Sequence, residues 1–156
     1  MITQINNHRV QHGNIMDGIE ELMMNQKADF IYSDPPWGQG NLRYWQTMNK
    51  KMNNVERNDV LYTDFIKHFF SLIYEYSKDK VVIEYGCQWN QDIVDISKRL
   101  GFKHNGSTIC YYKSGSILRP CDLHFLSKTS TITLTDFFKE ECIKRHFFLH
   151  YSFFYS

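Results

Sequence analysis

An apolar strand-like run, Ala28-Asp-Phe-Ile-Tyr-Ser33, breaks into Asp34-Pro35-Pro36-Trp37 and then into Gly38-Gln-Gly-Asn41. Prolines neither continue a central strand nor enter a helix interior, so the chain must leave its sheet here in a shape the proline rings largely fix. In an open α/β sheet, ligands bind outside the carboxyl ends of the strands, and Asp34 is placed to project there. Carbonyls held at fixed angles by Pro35 and Pro36, together with the Asp34 carboxylate, can accept hydrogen bonds from an exocyclic amine. Trp37 offers a flat face for a purine, an interaction worth about 1–3 kcal/mol per base. An amine held by such acceptors is a better nucleophile, and its reaction needs positioning and electrostatics more than a strong base. The corner suits methylation of an amino group.

The next stretch, residues 38–62, is long and polar and reads as a functional or mobile loop. Within it Arg43, Lys50, Lys51 and Arg57 can reach phosphates, while Tyr44 and Trp45 can stack on, or wedge behind, a flipped base. The plainer alternative is a solvated loop with its two aromatics folded back onto the core. The histidines show no metal-ligand spacing, Cys87 has no adjacent histidine base, and no metal site is expected.

The elements that must position the corner follow from periodicity. Residues 8–14 read as a strand ending in a turn at Gly13-Asn14, and 15–26 as an amphipathic helix with early acids. With the strand at 28–33 they make one αβ unit of a parallel sheet. Residues 63–79 read as a helix capped by Thr63-Asp64, 80–86 as a β-branched strand closed by Gly86, and 90–102 as a helix with Gly101 at its C-terminal cap. Residues 107–114 and 121–128 alternate and are expected to pair antiparallel. The central strands should end at Ser33 and Gly86, with Asp34 in the crevice between them. The expected fold is α/β, mostly parallel with an antiparallel C-terminal strand pair. It divides into a domain over 1–132 and an aromatic tail over 133–156. That tail either packs on the sheet or leaves an apolar patch, including Phe147, Phe148, Phe153 and Phe154, that a partner covers.

Composition bounds these readings. The chain has 156 residues, enough for one domain with a real core. Its 42% hydrophobic and 22% charged residues exclude a disordered chain. The net charge of +1 does not announce a nucleic-acid binder, so any such surface must be local. Cys87, Cys110, Cys121 and Cys142 lie far apart without a CxxC pair. With no signal-peptide pattern and no membrane-length apolar run, the expectation is a cytoplasmic protein without disulfides.

Asp34-Pro35-Pro36-Trp37 behind an apolar strand resembles the motif of the amino methyltransferases that modify N6 of adenine in DNA or RNA. The preceding "HGNIMDGIEELMMNQKADFIYS" is similar to that family's strand–helix–strand entry, "VVIEYG" resembles the fifth strand of its sheet, and "LGFKHNGSTICYYKS…RPCDLHFLSK" its closing antiparallel strands. The resemblance spans about residues 8–128. It implies a Rossmann-like sheet, S-adenosylmethionine as cofactor, an adenine-containing nucleic acid as substrate, DNA ahead of RNA, and direct in-line transfer. Asp34, Pro35, Pro36 and Trp37 would form the catalytic corner. Asn14, Asp34, Glu84, Tyr85 and Gly86 would border the cofactor, Glu84 and Tyr85 sharing one crevice; a purely structural Glu84 accepting from loop amides is the plainer alternative. One departure stands out, because the family's FxGxG-like cofactor motif is absent from the sequence. Weak cofactor binding, roughly −5 kcal/mol or less favourable, is therefore expected. A homo-oligomer or second subunit that completes the cofactor site is a further expectation, and no membrane partner is expected. The rival reading is a truncated or degenerate methyltransferase fold serving as a non-catalytic nucleic-acid-binding or partner subunit.

Overall fold

The computed structural model describes residues 2–5, 8–11, 15–53, 60–114, 117–130 and 147–148. Two short strands, β1 (Ile2–Ile5) and β2 (His8–Gln11), pair antiparallel with each other and form a sheet of their own. The strand expected at 8–14 therefore does not join the main sheet, and the expected αβ unit reduces to helix α1 (Ile15–Met23) and strand β3 (Ala28–Ser33). Alternating residues of a four-residue hairpin have too little apolar surface to compete for a central sheet position.

The main sheet has the order β5-β6-β4-β3-β7. Its members are β4 (Ser77–Tyr85), β5 (Lys103–Ser114), β6 (Ile117–Ser127), β7 (Phe147–Phe148) and β3. β3 pairs parallel with β4 and with the two-residue β7, whereas β6 runs antiparallel to both β4 and β5. The sheet is thus mixed rather than mostly parallel. The expected antiparallel pairing of 107–114 with 121–128 is present, extended by a long hairpin. That hairpin inserts its second strand next to β4, which reverses the direction at the centre. Of the tail over 133–156, only Phe147–Phe148 is described.

Strand alternation sorts the sheet into two faces. Ile31, Val81, Ile83, Tyr85 and Leu126 face the helices and share one core with Ile19 and Met23 of α1 and with Phe65, Ile66, Phe69, Phe70 and Ile73 of α3 (Tyr62–Tyr76). Phe30, Val82, Leu123 and Phe125 form a second cluster, joined by Tyr32 and Cys110. The α3 apolar residues recur at helical spacing, as expected. The helix, however, starts a residue earlier, behind Leu61, and no side chain caps it. It passes directly into β4, because the Ser77 amide still donates to the Ile73 carbonyl. Helix α4 (Asn90–Arg99) ends as its sequence suggested. Gly101 takes φ +96°, and its amide donates to Lys98 O at 3.0 Å. Fully buried His124 on β6 bonds to His104 at 3.1 Å, and burial followed by the neighbouring imidazole pushes its pKa down to about 4, so it stays neutral at pH 7.

One larger difference bears on function. Residues 38–53, expected as a loop, form the sixteen-residue helix α2 (Gly38–Asn53). Leu42 is buried in the same core as the α3 residues, and the Tyr62 amide at the start of α3 donates to Gln39 of α2, so an otherwise polar helix is seated on α3.

The start of β4 is tied to the end of β6 by Asp79. Its Oδ1 accepts from the amides of Lys128 (2.9 Å), Thr129 (2.8 Å) and Ser130 (3.3 Å), and its Oδ2 accepts from the Ser130 hydroxyl. Lys128 reaches back to the carbonyls of Tyr74 and Ser77, with its ammonium 4.2 Å from the Tyr74 ring centre. These donors outweigh desolvation and hold the Asp79 carboxyl well below the usual range. Its stabilisation is therefore complete above pH 3.8 and is lost as the pH falls below it. Asp79→Ala should lower stability by about 1–3 kcal/mol at pH 7. In denaturant titrations the gap from wild type should narrow as the pH is taken below the ordinary aspartate range.

Candidate functional site

β3 and β4 run parallel with Ser33 opposite Ile83; β3 ends there and β4 two residues later, at Tyr85, so two corners leave neighbouring strands on the same side of the sheet. The first corner is Asp34-Pro35-Pro36-Trp37, and the second runs from Gly86 through the single 3-10 turn Cys87–Trp89. Gly38 has φ +86°, a conformation that lets the chain swing from Trp37 into α2. A Cβ there would also come within 2.6 Å of Trp89 Cζ2. Gly86 has φ −66°, which any residue can adopt, so its smallness serves a contact. A Cβ at Gly86 would lie 3.2 Å from Trp37 Cε3. Each tryptophan thus rests on the other corner's glycine. The Tyr62 ring lies 5.9 Å from that of Trp89, and the Tyr62 amide donates to Gln39 Oε1 at 2.6 Å. These contacts attach the start of α3 to the same unit.

Asp34 continues the alternation of β3 and lies on the side of Tyr32 and Glu84. The Trp37 indole N–H donates to Asp34 Oδ1 at 2.9 Å, and the Tyr32 hydroxyl donates to Glu84. Glu84 is only 3% exposed. Burial first and the Glu84 charge second, opposed by the Trp37 bond, push the Asp34 pKa up to about 7. The thiols nearby remain protonated at neutral pH. Burial, then Glu84, pushes Cys121 up to about 12. Burial, then Asp122, raises Cys87, whose thiol donates to Asp122 at 3.6 Å. Among the described residues Cys87, Cys110 and Cys121 are free, and no group of three or more His, Cys, Asp or Glu side chains is arranged to hold a metal. No helix among them is long and apolar enough to cross a membrane.

The structure therefore brings Asp34, Trp37, Glu84 and Gly86 together at the ends of adjacent strands, and Pro35 and Pro36 are buried. It does not bring Tyr85 into their crevice. Neighbours on a strand point to opposite faces, and Tyr85, 1% exposed, belongs to the helix-side core. Arg43, Tyr44, Lys50 and Lys51 are exposed on α2 rather than on a loop, and Trp45 is half-buried with its ring 5.0 Å from Tyr44. Their positions along α2 fall within one helical stripe opposite Leu42, and α2 contains no acidic residue. Asn14 and Arg57 lie outside the described residues. Two contributors had been missed. Trp89 carries no motif of its own, and Tyr32 reads as an ordinary strand aromatic until β4 is set beside it.

No protein-family model matches this chain, and no curated protein matches it. Among solved structures it is similar to a crystal structure of the M1.HpyAVI-SAM complex. The two are 15% identical, with a TM-score of 0.44 over 76% of this chain. The chain spans about half the length of that neighbour, 52%.

A carboxyl with a raised pKa stabilises the fold while protonated and loses that contribution as the pH rises from the unfolded value, 3.8, through about 7. Asp34→Asn should therefore leave stability near wild type at pH 4. At pH 8 it should raise stability by about 1–3 kcal/mol, after allowance for partial exposure. Thermal melts of both proteins across this range check the sign.

Proposed function

We propose that this chain is an S-adenosylmethionine-dependent methyltransferase acting on the N6 amino group of adenine in nucleic acid, with DNA the preferred substrate, built on a Rossmann-like sheet. The observation that carries this reading is the Asp34 carboxyl, half-buried at the end of β3, fixed by Trp37 and set beside buried Glu84. Two carboxyls in a site that raises the pKa of one to about 7 lack positive charge. The donor set therefore fits a cationic sulfonium or ammonium group. Asp34, Glu84 and the Gly86 backbone are the groups that would hold such a cofactor. S-adenosylmethionine, when bound, supplies an electrophilic methyl group.

The chain's own residues supply the rest. Asp34 Oδ1 is occupied by the indole N–H, while Oδ2 accepts no bond from a described residue and can take one from the adenine amine. The ionised carboxylate is the form that accepts. Pro35 and Pro36 limit the corner's motion, which keeps these acceptors preorganised. Trp37 offers its half-buried ring to the base edge-on or in a stack, while Gly86 backs the ring from inside. The exposed stripe of α2, with Arg43, Lys50, Lys51 and the ring of Tyr44, is the surface for phosphates and an unpaired base.

Incubation with S-adenosylmethionine and adenine-containing oligonucleotides tests the reading. Methyl transfer should rise with pH through about 7, where Asp34 ionises. Asp34→Ala should reduce it by about 10²–10³ or more without loss of fold. Lys50→Glu with Lys51→Glu should weaken oligonucleotide binding alike across sequences and shrink its salt dependence by about one unit per lost phosphate contact. An active chain unaffected by Asp34→Ala would sink the assignment.

The rival, a non-catalytic partner subunit, draws on β5. This strand forms the sheet's edge, and Ile109 and Tyr111 are 58% and 65% exposed on it. Self-association in sedimentation runs, with no binding of cofactor or oligonucleotide, would favour it.

A further inference from the structure

We propose that Cys110 and Cys121 form a reversible redox site. A low-molecular-weight disulfide, of which oxidised glutathione is the type, closes them into a cross-strand disulfide, and the closure is felt at the end of β4.

The geometry comes from register. Cys110 stands directly opposite Cys121, inside the unbroken stretch that pairs Ser107 through Ser114 with His124 through Ile117. Opposed residues of antiparallel strands have Cα atoms about 4.5 or about 5.5 Å apart, and both distances lie within the about 4.4–6.8 Å that a disulfide spans. The two side chains share a face, the one on which Cys110 packs against the cluster of Leu123 and Phe125. Both thiols are free. Their Cβ atoms, about 4.5–5.5 Å apart in such a pair, must close to about 3.5–4.5 Å. That movement strains the bond, and strained disulfides are the easily reduced, regulatory ones. β5 forms the edge of the sheet, so no described strand beyond it resists the movement. Cys87 is the competing partner, and the fold turns it away. Its thiol donates to Asp122 at 3.6 Å, and Asp122, next to Cys121 on β6, points to the opposite face.

Exposure sets the order of the steps. Cys110 is half-buried and Cys121 fully buried, so Cys110 meets the oxidant first. Its sulfur loses its proton and attacks one sulfur of oxidised glutathione. The glutathione S–S bond breaks, a Cys110–glutathione mixed disulfide forms, and one reduced glutathione leaves with the proton. Cys121 then loses its proton and attacks the Cys110 sulfur, which expels the second reduced glutathione. Two electrons pass from the cysteine pair to the oxidant. Burial first and the Glu84 charge second raise the pKa of both thiols, so thiolate is scarce and the site answers sustained oxidation rather than a brief pulse. Asp122 and Leu123 follow Cys121 directly and pair with Tyr85 and Glu84. Drawing Cys121 toward β5 therefore pulls on the end of β4.

Equilibration of the full chain in glutathione buffers of rising oxidised fraction, followed by alkylation, trypsin and mass spectrometry, tests the site directly. Trypsin parts Cys110, in the peptide 104–113, from Cys121, in the peptide 114–128. The expected product is these two peptides joined, two hydrogens lighter than their sum, and separated again by excess reduced glutathione. Cys121→Ser should stop at a glutathione adduct on Cys110, and Cys110→Ser should leave Cys121 unmodified. Free Cys110 and Cys121 in the oxidised buffer, or Cys121 joined to Cys87 instead, overturns the proposal. A bond that survives excess reduced glutathione overturns its reversibility. In amide spectra of wild type, closure should shift Glu84, Tyr85 and Gly86 together with the hairpin. Shifts confined to β5 and β6 overturn the transmission to β4. None of these readouts depends on methyl transfer.

Discussion

The crossed packing of two tryptophans on two glycines holds this molecule's corner together. Trp89 lies where a side chain on Gly38 would be, and Trp37 where one on Gly86 would be. Because the two corners leave the carboxyl ends of adjacent parallel strands, each supplies the wall the other needs. Neither contact can form unless β3 and β4 are in register, and α2 cannot start where it does unless Gly38 takes its left-handed turn. Sheet register, helix placement and the position of Asp34 are thus one constraint seen from three sides.

That constraint sets up an electrostatic conflict. The packing that fixes Trp37 also buries Asp34 beside Glu84, and a buried carboxyl near another is unfavourable when ionised. Hydrogen bonds from Trp37 and Tyr32 reduce the conflict without removing it. Strain of this kind is retained only where the surrounding structure over-determines it. Here the surroundings are the helix-side core below and the Asp79–Lys128 clamp at the opposite end of β4, where every acceptor is matched by donors. β4 therefore starts with a carboxylate matched by several donors, while the carboxyl with an acceptor left to offer a ligand is Asp34, at the end of the neighbouring strand.

Much of this was legible in local residues, and the exceptions share a cause. The strand at 28–33, the apolar stripe of α3, the cap at Gly101 and the β5–β6 hairpin are written in alternation, helical spacing and glycine chemistry, which act over a few positions. Helix α2 was not, because its composition is polar and what seats it, the burial of Leu42 in the core and the Gln39 bond to Tyr62, exists only once α3 is beside it. The first strand went to its own small hairpin because β1 is near in sequence, and nothing in residues 8–11 encodes which partner wins.

For the site, the sequence alone determined the chemistry available: an acid, two rigid prolines and an indole at the end of a strand, in an order that forces a corner. It also placed Glu84 near the end of the next strand. Tertiary structure decided which of these groups meet. It sent Tyr85 into the core and Glu84 to the other face, since adjacent residues on a strand cannot share a side. It brought in Tyr32 and Trp89, which are 52 positions from Glu84 and far along the chain from Gly38 respectively. Residue type is a property of one position, whereas a raised pKa and a packed glycine are properties of pairs, and pairs exist only once the strands have found their register.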